Sequence, residues 1–526
     1  MPHFLLEIGF EEMPARFLSG LVDESRAFFA AALVQAKLDA PAVTAFATPR
    51  RLVVSVPELA ATARQEEELV TGPPEKVGFG ADGAPTPAAI GFAKGQGKDI
   101  ADVFVMETGK GRYLALKKTT GGESAMELLP ALCLDMVKKL SFPKRMRWGS
   151  RDFAFGRPIH WFVALLGDAV VPFALDDIVS GRETRGHRIM GPGPFAVPTA
   201  GDYFAIIRDQ GKVVLDAKER EAMVRSQAEA LAKEAGGRAV INPALLAEVT
   251  GLTEYPVVIL GRLDPKFLDV PREVLITSME THQKSFAVEN ADGGLLPVFL
   301  TTLGLAPGNL ELVRRGWQRV LTARLEDARF FWEADLGTDI ETWQKKLESV
   351  VFLAGLGSMR DKARRLERLC GLIAEMAGKP EVMLEASQAG GLAKVDLVSD
   401  MVGEFAELQG VMGGIYIRRK GQSKSVSRAV AEQYLPAGPD SPVPPTLAGA
   451  ILSIADKADT LAGCFGLDMA PTGAADPYAL RRATLGICRI VIEHGLGLDL
   501  MELLQAALDG YGDAKFKVDR TRVLAR

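Results

Sequence analysis

Cysteine and histidine are both scarce in this sequence. Its four cysteines, Cys133, Cys370, Cys464 and Cys488, lie far apart and show neither CxxC nor zinc-type spacing. We expect them to be reduced and mostly buried as small apolar side chains. The five histidines are dispersed, without the spacing of helical metal ligands or a recognisable Ser/His/Asp motif. Disulfide-stabilised, zinc-binding and serine-hydrolase classes are therefore not indicated.

Long apolar runs are also missing. No stretch reaches the roughly 18 to 20 residues that a membrane-spanning helix needs. At the N-terminus, Glu7, Glu11 and Glu12 interrupt any apolar segment of a secretory signal. The composition, 48% hydrophobic and 25% charged, is typical of a soluble globular protein, and we expect a cytoplasmic location without membrane partners. A net charge of −5 argues against a surface that binds nucleic acid throughout, but it leaves room for a local basic face.

The order of strand and helix signals predicts several domains, because 526 residues exceed one ordinary core. Strands are expected at residues 4–8 and 51–56, with a helix between them at residues 15–37. Glycine, proline and alanine then dominate residues 71–97, which predicts a long loop or a connection between segments. Within it, residues 91–98 miss the Walker pattern, since five residues separate Gly91 from Gly97 and Asp99 stands where Ser or Thr should follow.

Further along, a helix is expected at residues 217–234 and a strand at residues 255–260. Past residue 310 nearly everything reads as helix, with one apolar stripe formed by Leu321, Leu325, Ala328 and Trp332. Asp476 and Pro477 are expected to start a later helix. The fold class is thus multidomain α+β: α/β N-terminal and middle regions followed by an all-helical domain. The expected domains are 1–190, 191–310, 311–510 and a short segment 511–526.

The most informative stretch is the basic segment 138–160, KKLSFPKRMRWGSRDFAFGRPIH. It carries seven basic side chains and a single acidic one, Asp152, in a chain whose total charge is negative. The basic residues are Lys138, Lys139, Lys144, Arg145, Arg147, Arg151 and Arg157, and the aromatic residues between and after them are Phe142, Trp148, Phe153, Phe155 and Trp161. Such residues neutralise phosphates and stack on unpaired bases, so RNA contact is one interpretation. A solvated basic face with core aromatics is the other.

Two shorter basic clusters are less specific. Residues 184–188, Thr-Arg-Gly-His-Arg, place Arg185, His187 and Arg188 around a glycine, which suits approach to a phosphate backbone. Four arginines lead into the predicted helix past residue 310: Arg314, Arg315, Arg319 and Arg324. There Glu326 and Asp327 could pair with them, so a structural ion-pair face is as reasonable as RNA binding.

Two acidic positions in the helical region resemble the later motifs of the HD phosphohydrolase superfamily. Asp396 and Asp456 occupy its acidic positions, but Val395 stands where that superfamily has a ligand histidine. Two carboxylates without imidazoles would not bind a transition metal as HD enzymes do. A degenerate HD-like scaffold without a metal is therefore expected.

Taken in order, many segments resemble one family, the glycyl-tRNA synthetase beta subunit of bacterial two-subunit enzymes. The resemblance rests on Leu5–Pro14, Thr48–Leu52, Gly72–Pro74, Ala93–Gly97, Lys144–Gly149, Arg157–Trp161, Thr184–Arg188, Glu254–Pro256, Arg324–Phe331, Met401–Phe405, Leu408–Gly413, Ala455–Lys457 and Asp476–Arg482. Each fragment alone is modest, but their shared order is a strong match.

The resemblance implies a heterotetramer of two alpha and two beta subunits that charges tRNA(Gly) with glycine. It places ATP, Mg²⁺ and catalysis on the alpha subunit and tRNA recognition on the beta subunit, so no catalytic residue, metal or bound cofactor is expected here. The candidate RNA-binding residues are Lys144, Arg145, Arg147, Trp148, Arg157, His160, Arg185, His187 and Arg188. Members of the family continue into an anticodon-binding domain, so a C-terminal truncation near residue 526 is expected. The alternatives are an HD-type phosphohydrolase, a tRNA-editing deacylase or a non-catalytic assembly scaffold.

Overall fold

The computed structural model describes residues 1–80, 83–109, 111–473 and 475–526, which form two compact units. The first unit comprises Met1–Gly261, Lys284–Gly293 and Leu300–Arg314. The second comprises Arg262–Gln283, Gly294–Phe299 and Arg315–Arg526. Strands and helices mix in the first unit, and helices dominate the second, which confirms the predicted α+β class with a helical C-terminal region. The domain boundaries at residues 190, 310 and 510 stay predictions.

The strands are β1 (Phe4–Phe10), β2 (Thr44–Thr48), β3 (Arg51–Val56), β4 (Glu66–Pro74), β5 (Phe104–Thr108), β6 (Gly111–Thr120), β7 (Ile159–Leu166), β8 (Ala169–Val170), β9 (Ala174–Leu175), β10 (Ile178–Gly181), β11 (Glu183–Thr184), β12 (Phe195–Ala196), β13 (Arg238–Val240), β14 (Val257–Arg262), β15 (Ser285–Glu289) and β16 (Leu295–Leu303).

The helices are α1 (Ala15–Gln35), α2 (Glu75–Gly78), α3 (Pro87–Gly95), α4 (Ala125–Lys139), α5 (Tyr203–Ala205), α6 (Ala217–Glu234), α7 (Pro243–Leu252), α8 (Arg272–Thr277), α9 (Leu310–Leu336), α10 (Ile340–Lys346), α11 (Met359–Met376), α12 (Met383–Leu392), α13 (Asp400–Glu404), α14 (Val411–Arg419), α15 (Lys424–Glu432), α16 (Leu447–Gly466), α17 (Leu480–Glu493), α18 (Leu500–Asp509) and α19 (Arg520–Ala525). None of those lying in the described residues has the length and apolar character needed to cross a membrane.

A seven-stranded sheet organises the first unit. Its order is β2-β3-β1-β7-β10-β9, with β8 paired to β7. The pairs are antiparallel except β10 with β7, which run parallel. A three-stranded sheet, β4-β6-β5, a two-stranded sheet, β11-β12, and a four-stranded sheet, β13-β15-β16-β14, complete the strands.

Both faces of the seven-stranded sheet are covered, which explains why β1 reads as an almost unbroken apolar run. Phe4, Leu6 and Ile8 point to the face covered by α1 and α4, whose buried residues join the same core. Leu5 points to the other face, where Tyr203 and its neighbours pack. On that second face β1 and β3 also place two buried charged residues, Glu7 and Arg51.

The predicted long loop at residues 71–97 is wrong for most of its length. Strand β4 continues to Pro74, α2 follows at once, and α3 occupies residues 87–95. Pro87 supplies the fixed φ that suits a first helical turn, so the glycines at 91 and 95 lie within a helix. Residues 81 and 82 of the predicted loop lie outside the described residues.

Most other local predictions hold. Strands and helices form close to the expected positions 4–8, 15–37, 51–56, 217–234 and 255–260. The stripe Leu321, Leu325, Ala328 and Trp332 is buried on α9. The expected helix start at Asp476 and Pro477 is wrong, because α17 begins at Leu480 with Ala479 at its N-cap. The Asp476 carboxylate nevertheless accepts hydrogen bonds from the N–H groups of Leu480 and Arg481 in the first turn.

A glycine in β1 marks the tightest packing of the sheet. A Cβ added at Gly9 would lie 2.0 Å from the Trp161 ring, whereas one added at Gly20 on α1 would meet nothing within 4 Å. We predict that Gly9→Ala destabilises the protein by about 1 to 3 kcal/mol through overpacking. Gly20→Ala, the matched control, should stabilise it by up to about 1 kcal/mol. Urea unfolding of both variants checks this, and equal midpoints would contradict it.

Candidate nucleic-acid interface

The basic segment 138–160 folds back on itself between α4 and β7. Met146 and Phe155 exchange backbone hydrogen bonds of 2.8 and 3.1 Å as an isolated antiparallel bridge. Lys138 and Lys139 end α4, and His160 lies in β7. The segment is therefore a hairpin-like loop within the first unit.

The aromatic side chains of this segment face inward more than outward. Phe155 is fully buried, and the centroids of the Phe142 and Phe155 rings are 4.6 Å apart. Phe153 packs on Phe155 and on the half-buried Trp148, with centroids 6.1 Å apart in both cases. The phenylalanines therefore serve packing, as the second sequence interpretation held, and stacking of a base on Trp148 stays a prediction.

Lys139 pairs with Asp135 at the end of α4, but four other cations of the segment have no carboxylate partner in the described part of the chain: Lys144, Arg145, Arg147 and Arg157. The Arg145 guanidinium donates to the Leu140 carbonyl, and Arg147 Nε donates to the Asp152 carbonyl at 3.2 Å. Arg157 donates only to carbonyls, and Lys144 has no ion-pair partner in the described part of the chain. Arg151 differs because Asp176 and Asp177 neutralise it.

Residues 184–186 are positioned by a buried charge network centred on Arg51. Arg51 is fully buried, and its guanidinium lies 2.8 Å from Glu7 Oε1 and 2.9 Å from Glu254 Oε1. It also donates to the carbonyls of Arg185 and Gly186. Burial alone would lower the pKa of Arg51, but the charges of Glu254 and Glu7 outweigh it and raise the pKa.

Two threonines complete this network. Thr184 Oγ1 donates to Glu7 Oε2 at 2.6 Å, and Thr48 Oγ1 donates to Glu254 Oε1 at 2.5 Å. A Cβ at Gly186 would lie 2.2 Å from the Gly191 carbonyl oxygen, so only glycine fits there. The backbone of the 184–188 cluster is therefore fixed from inside.

The exposed Arg185 side chain is presented over Trp161. The guanidinium carbons of Arg185 and Arg51 each lie 5.7 Å from the Trp161 ring centroid. Arg185 shows no carboxylate partner among the residues that the structure describes. A cation held this way is ordered yet available to an anion.

Three other candidates are already engaged within the chain. Both ring nitrogens of His187 are occupied: Nε2 lies 2.8 Å from the Gly304 carbonyl oxygen, and Nδ1 accepts from two backbone N–H groups at 3.2 Å. This pattern fits a neutral ring with its proton on Nε2. Arg188 pairs with Glu11 and Glu12, and His160 Nε2 lies 3.4 Å from Glu11. The hydrogen bond that Arg188 donates to the Glu11 carboxylate raises the pKa of Arg188.

The structure thus brings segments 157–160 and 185–188 together at the end of β1. Segment 144–148 joins them through the Met146–Phe155 bridge, because the centroid of the Phe155 ring lies 6.2 Å from that of Phe10. The Glu11 carboxylate accepts a hydrogen bond from Arg188 and contacts His160. Arg157 donates to the Glu12 carbonyl at 3.1 Å. The backbone N–H of Glu11 donates to the Pro158 carbonyl at 2.8 Å. We call the surface formed by segments 144–148, 157–160 and 185–188 around Glu11 and Glu12 the basic edge.

Sequence reasoning missed Glu7, Arg51 and Glu254 as the residues that hold this edge. A signal existed, because Glu7 interrupts an apolar strand and Arg51 begins another. A charged residue in a strand covered on both faces must find a buried partner.

The acidic positions of the helical region lie in the second unit. Asp396 Oδ2 accepts from the N–H groups of Gly410 and Gly413 at 2.5 and 2.9 Å, which fixes the start of α14. Burial raises the pKa of Asp396 despite these bonds. Val395 is fully buried in the core.

Lysines surround Asp456. Its carboxylate lies 2.8 Å from Lys394 Nζ and 3.1 Å from Lys362 Nζ, and both lysine side chains are only 3% exposed. Burial alone would raise the pKa of Asp456, but these ammonium groups hold it well below its usual range. Within the described ranges, no group of three His, Cys, Asp or Glu side chains is arranged to hold a metal ion.

Comparison with known proteins fits this arrangement to one family. The family model described as "Glycyl-tRNA synthetase beta subunit" matches residues 4–525. The glycine--tRNA ligase beta subunit of Solidesulfovibrio magneticus is 84% identical over the whole chain, which spans 76% of that protein. Those of Lawsonia intracellularis and Moorella thermoacetica are 47% and 41% identical, with 100% and 96% of the chain aligned to 76% and 73% of their lengths.

The chain is therefore a component of an aminoacyl-tRNA synthetase. The chain belongs to the glycyl-tRNA synthetase beta subunit family, whose name implies an alpha-subunit partner.

The Arg51 network makes the first unit sensitive to acid. Burial would raise the pKa of Glu254, but Arg51 lowers it below its ordinary value. Its stabilising contribution is therefore present above the unfolded pKa of about 4.3 and is lost as pH falls through the lower folded pKa. We predict that Glu254→Gln lowers the free energy of unfolding by about 3 to 5 kcal/mol at pH 7. On acidification this variant should then lose less stability than the parent does. Urea unfolding at pH 7 and at an acidic pH below about 4.3 measures the two losses of stability. The exposed Glu68→Gln should behave like the parent at both pH values.

Removing the Asp456 charge should destabilise the protein, because the buried ammonium groups beside it would lose their counter-charge. We predict that Asp456→Asn destabilises the second unit by about 3 to 5 kcal/mol, because Lys394 loses its carboxylate partner. Adding Lys394→Met should recover part of that loss. Thermal unfolding checks both steps. Millimolar Mn²⁺ should leave the parent's Tm unchanged, and a rise would contradict the assignment of this position to ammonium groups.

Proposed function

We propose that this chain binds tRNA(Gly) through the basic edge and supports ATP-dependent glycylation at the active site of an alpha subunit. The observation that carries the proposal is the convergence of segments 144–148, 157–160 and 185–188 at the end of β1. These segments are separate in sequence, and contacts with β1 or with the residues that follow it hold each of them.

The cations of the basic edge divide into two groups. Arg188 and His160 contact Glu11, and both ring nitrogens of His187 are hydrogen-bonded to backbone groups. We assign these three to holding the edge in shape. The other five cations have no carboxylate partner within the described ranges: Lys144, Arg145, Arg147, Arg157 and Arg185.

The second group suits phosphate contacts. A cation without an internal carboxylate has no ion pair to break when a phosphate arrives, and each neutralised phosphate releases condensed counterions. The half-buried Trp148, which lies 5.7 Å from the Arg151 guanidinium, is the one candidate on the edge for stacking on a base.

The remaining functional parts are assigned to the assembly. We infer an alpha2beta2 heterotetramer in which ATP and Mg²⁺ act at the alpha subunit and this chain binds no cofactor of its own. Family membership and the absence of an ATP-binding signature from the sequence support this division. We also infer that the helical region keeps an HD-like scaffold in which Lys362 and Lys394, through Asp456, take the place of a metal.

Charge removal at the basic edge tests tRNA binding. We predict that Arg145→Ala with Arg147→Ala weakens tRNA(Gly) binding and lowers the slope of log K against log salt by about 1.5 to 2, since two phosphate contacts are lost. The matched control is Arg208→Ala with Arg225→Ala, because Glu219 and Glu221 neutralise those arginines. Filter binding at several salt concentrations gives both slopes.

The same variants distinguish the alternatives. Glycylation by the chain mixed with alpha subunit should fall with the loss of tRNA affinity, while a sizing column still shows the complex. Unchanged tRNA affinity and salt slope would sink the proposal and favour a scaffold role for this chain.

A further inference from the structure

Helix α9 has an exposed face of unusual composition. Phe330 is 68% exposed, and Gly316, Ala323 and Ala334 are exposed on the same side. Residues 316, 323 and 330 are seven apart, so they follow one line along the helix. The opposite side, with Leu321, Leu325, Ala328 and Trp332, is buried. A large exposed aromatic in line with small residues is the pattern of a helix-packing seam.

Most charged side chains of α9 already have partners. Arg324 pairs with Glu404, Glu326 with Lys266, and Arg329 with Glu333. Arg314 pairs with Glu311, and Asp335 accepts from the N–H groups of Asp400 and Met401. Within the described residues, exposed Arg319 and Asp327 form neither an ion pair nor a hydrogen bond. Arg314, Arg319 and Arg324 therefore do not pair with Glu326 or Asp327, the partners that the sequence offered.

These positions are symmetric about Ala323. Arg319 and Asp327 lie four residues to either side, and Gly316 and Phe330 lie seven to either side. In an antiparallel pair of identical helices with a two-fold axis at Ala323, Arg319 faces the second copy's Asp327. Phe330 then covers the second copy's Gly316, where no side chain obstructs it. A two-fold interface requires this kind of self-complementarity.

We propose that α9 packs antiparallel against the α9 of a second copy of this chain, with the two-fold axis at Ala323. The unpaired opposite charges and the match of large with small residues both select a second copy as the occupant. The proposal does not depend on tRNA binding by the basic edge. It requires only that two copies of this chain meet along α9.

One helix pair buries less than the roughly 1,600 Å² of a standard interface. We therefore expect weak self-association of the chain alone and stronger contact where alpha subunits hold two copies together, because tethering raises the effective concentration.

Charge reversal tests the pairing. Arg319→Asp or Asp327→Arg alone would place like charges opposite each other and should abolish self-association in sedimentation equilibrium. The double variant restores opposite charges and should recover it. Failure of the double variant to recover association, with both single variants folded by circular dichroism, would overturn the proposal.

Disulfide trapping tests the position of the axis. In a Cys488→Ser background, Ala323→Cys should form a covalent dimer of this chain on mild oxidation, alone and with alpha subunit, since the axis brings the two cysteines together. Ala334→Cys is the matched control on the same face, because its copies would be about 33 Å apart, 22 residues at 1.5 Å each. Cross-linking of Ala323→Cys to the alpha subunit instead, or no faster than Ala334→Cys, would refute the proposal.

Discussion

The fully buried guanidinium of Arg51 is the constraint on which the first unit depends. A charge removed from water is tolerated only when counter-charges and hydrogen bonds surround it. Glu7 on β1 and Glu254 before β14 supply the charges, and Thr48 and Thr184 donate to them. Misplacing any of these segments would leave a buried charge unpaired. The network therefore selects one arrangement of residues that lie far apart along the chain.

The consequence reaches the surface through the backbone. Arg51 donates to the carbonyls of Arg185 and Gly186, so these buried hydrogen bonds fix the backbone that carries the exposed side chains of the 184–188 cluster. Trp161 lies under the guanidinium groups of Arg51 and Arg185 and fills the space that a side chain at Gly9 would need. The buried Arg51 is thus paired with carboxylates and fixes the shape of this region, whereas exposed cations such as Arg185 and Lys144 keep their charge available to a ligand.

The second unit uses buried charge for a different purpose. Lys362 contacts both Asp456 and Asp459, and Arg365 contacts Asp459, so α11 and α16 are joined by ion pairs inside the helical region. Asp396 instead holds the N-terminal end of α14 through two backbone N–H groups. Two carboxylates that sequence comparison places in one motif set therefore have separate structural roles.

The sequence by itself determined the local elements and the family. The apolar run of β1, the spacing of Leu321, Leu325, Ala328 and Trp332, and the ordered motifs all depend on neighbouring residues, so they can be read without a structure. Tertiary structure decided the remainder. Helix α3 forms where glycine and proline predict a loop, because a proline at a first helical turn and packing on β4 outweigh weak propensity. It also decided that backbone groups occupy both ring nitrogens of His187, that Phe155 is buried in the core and that the Arg185 guanidinium is exposed. Each of these residues has at least one contact that lies far away in sequence: Gly304 for His187, Phe10 for Phe155 and Trp161 for Arg185. Contacts across such distances leave no local signal.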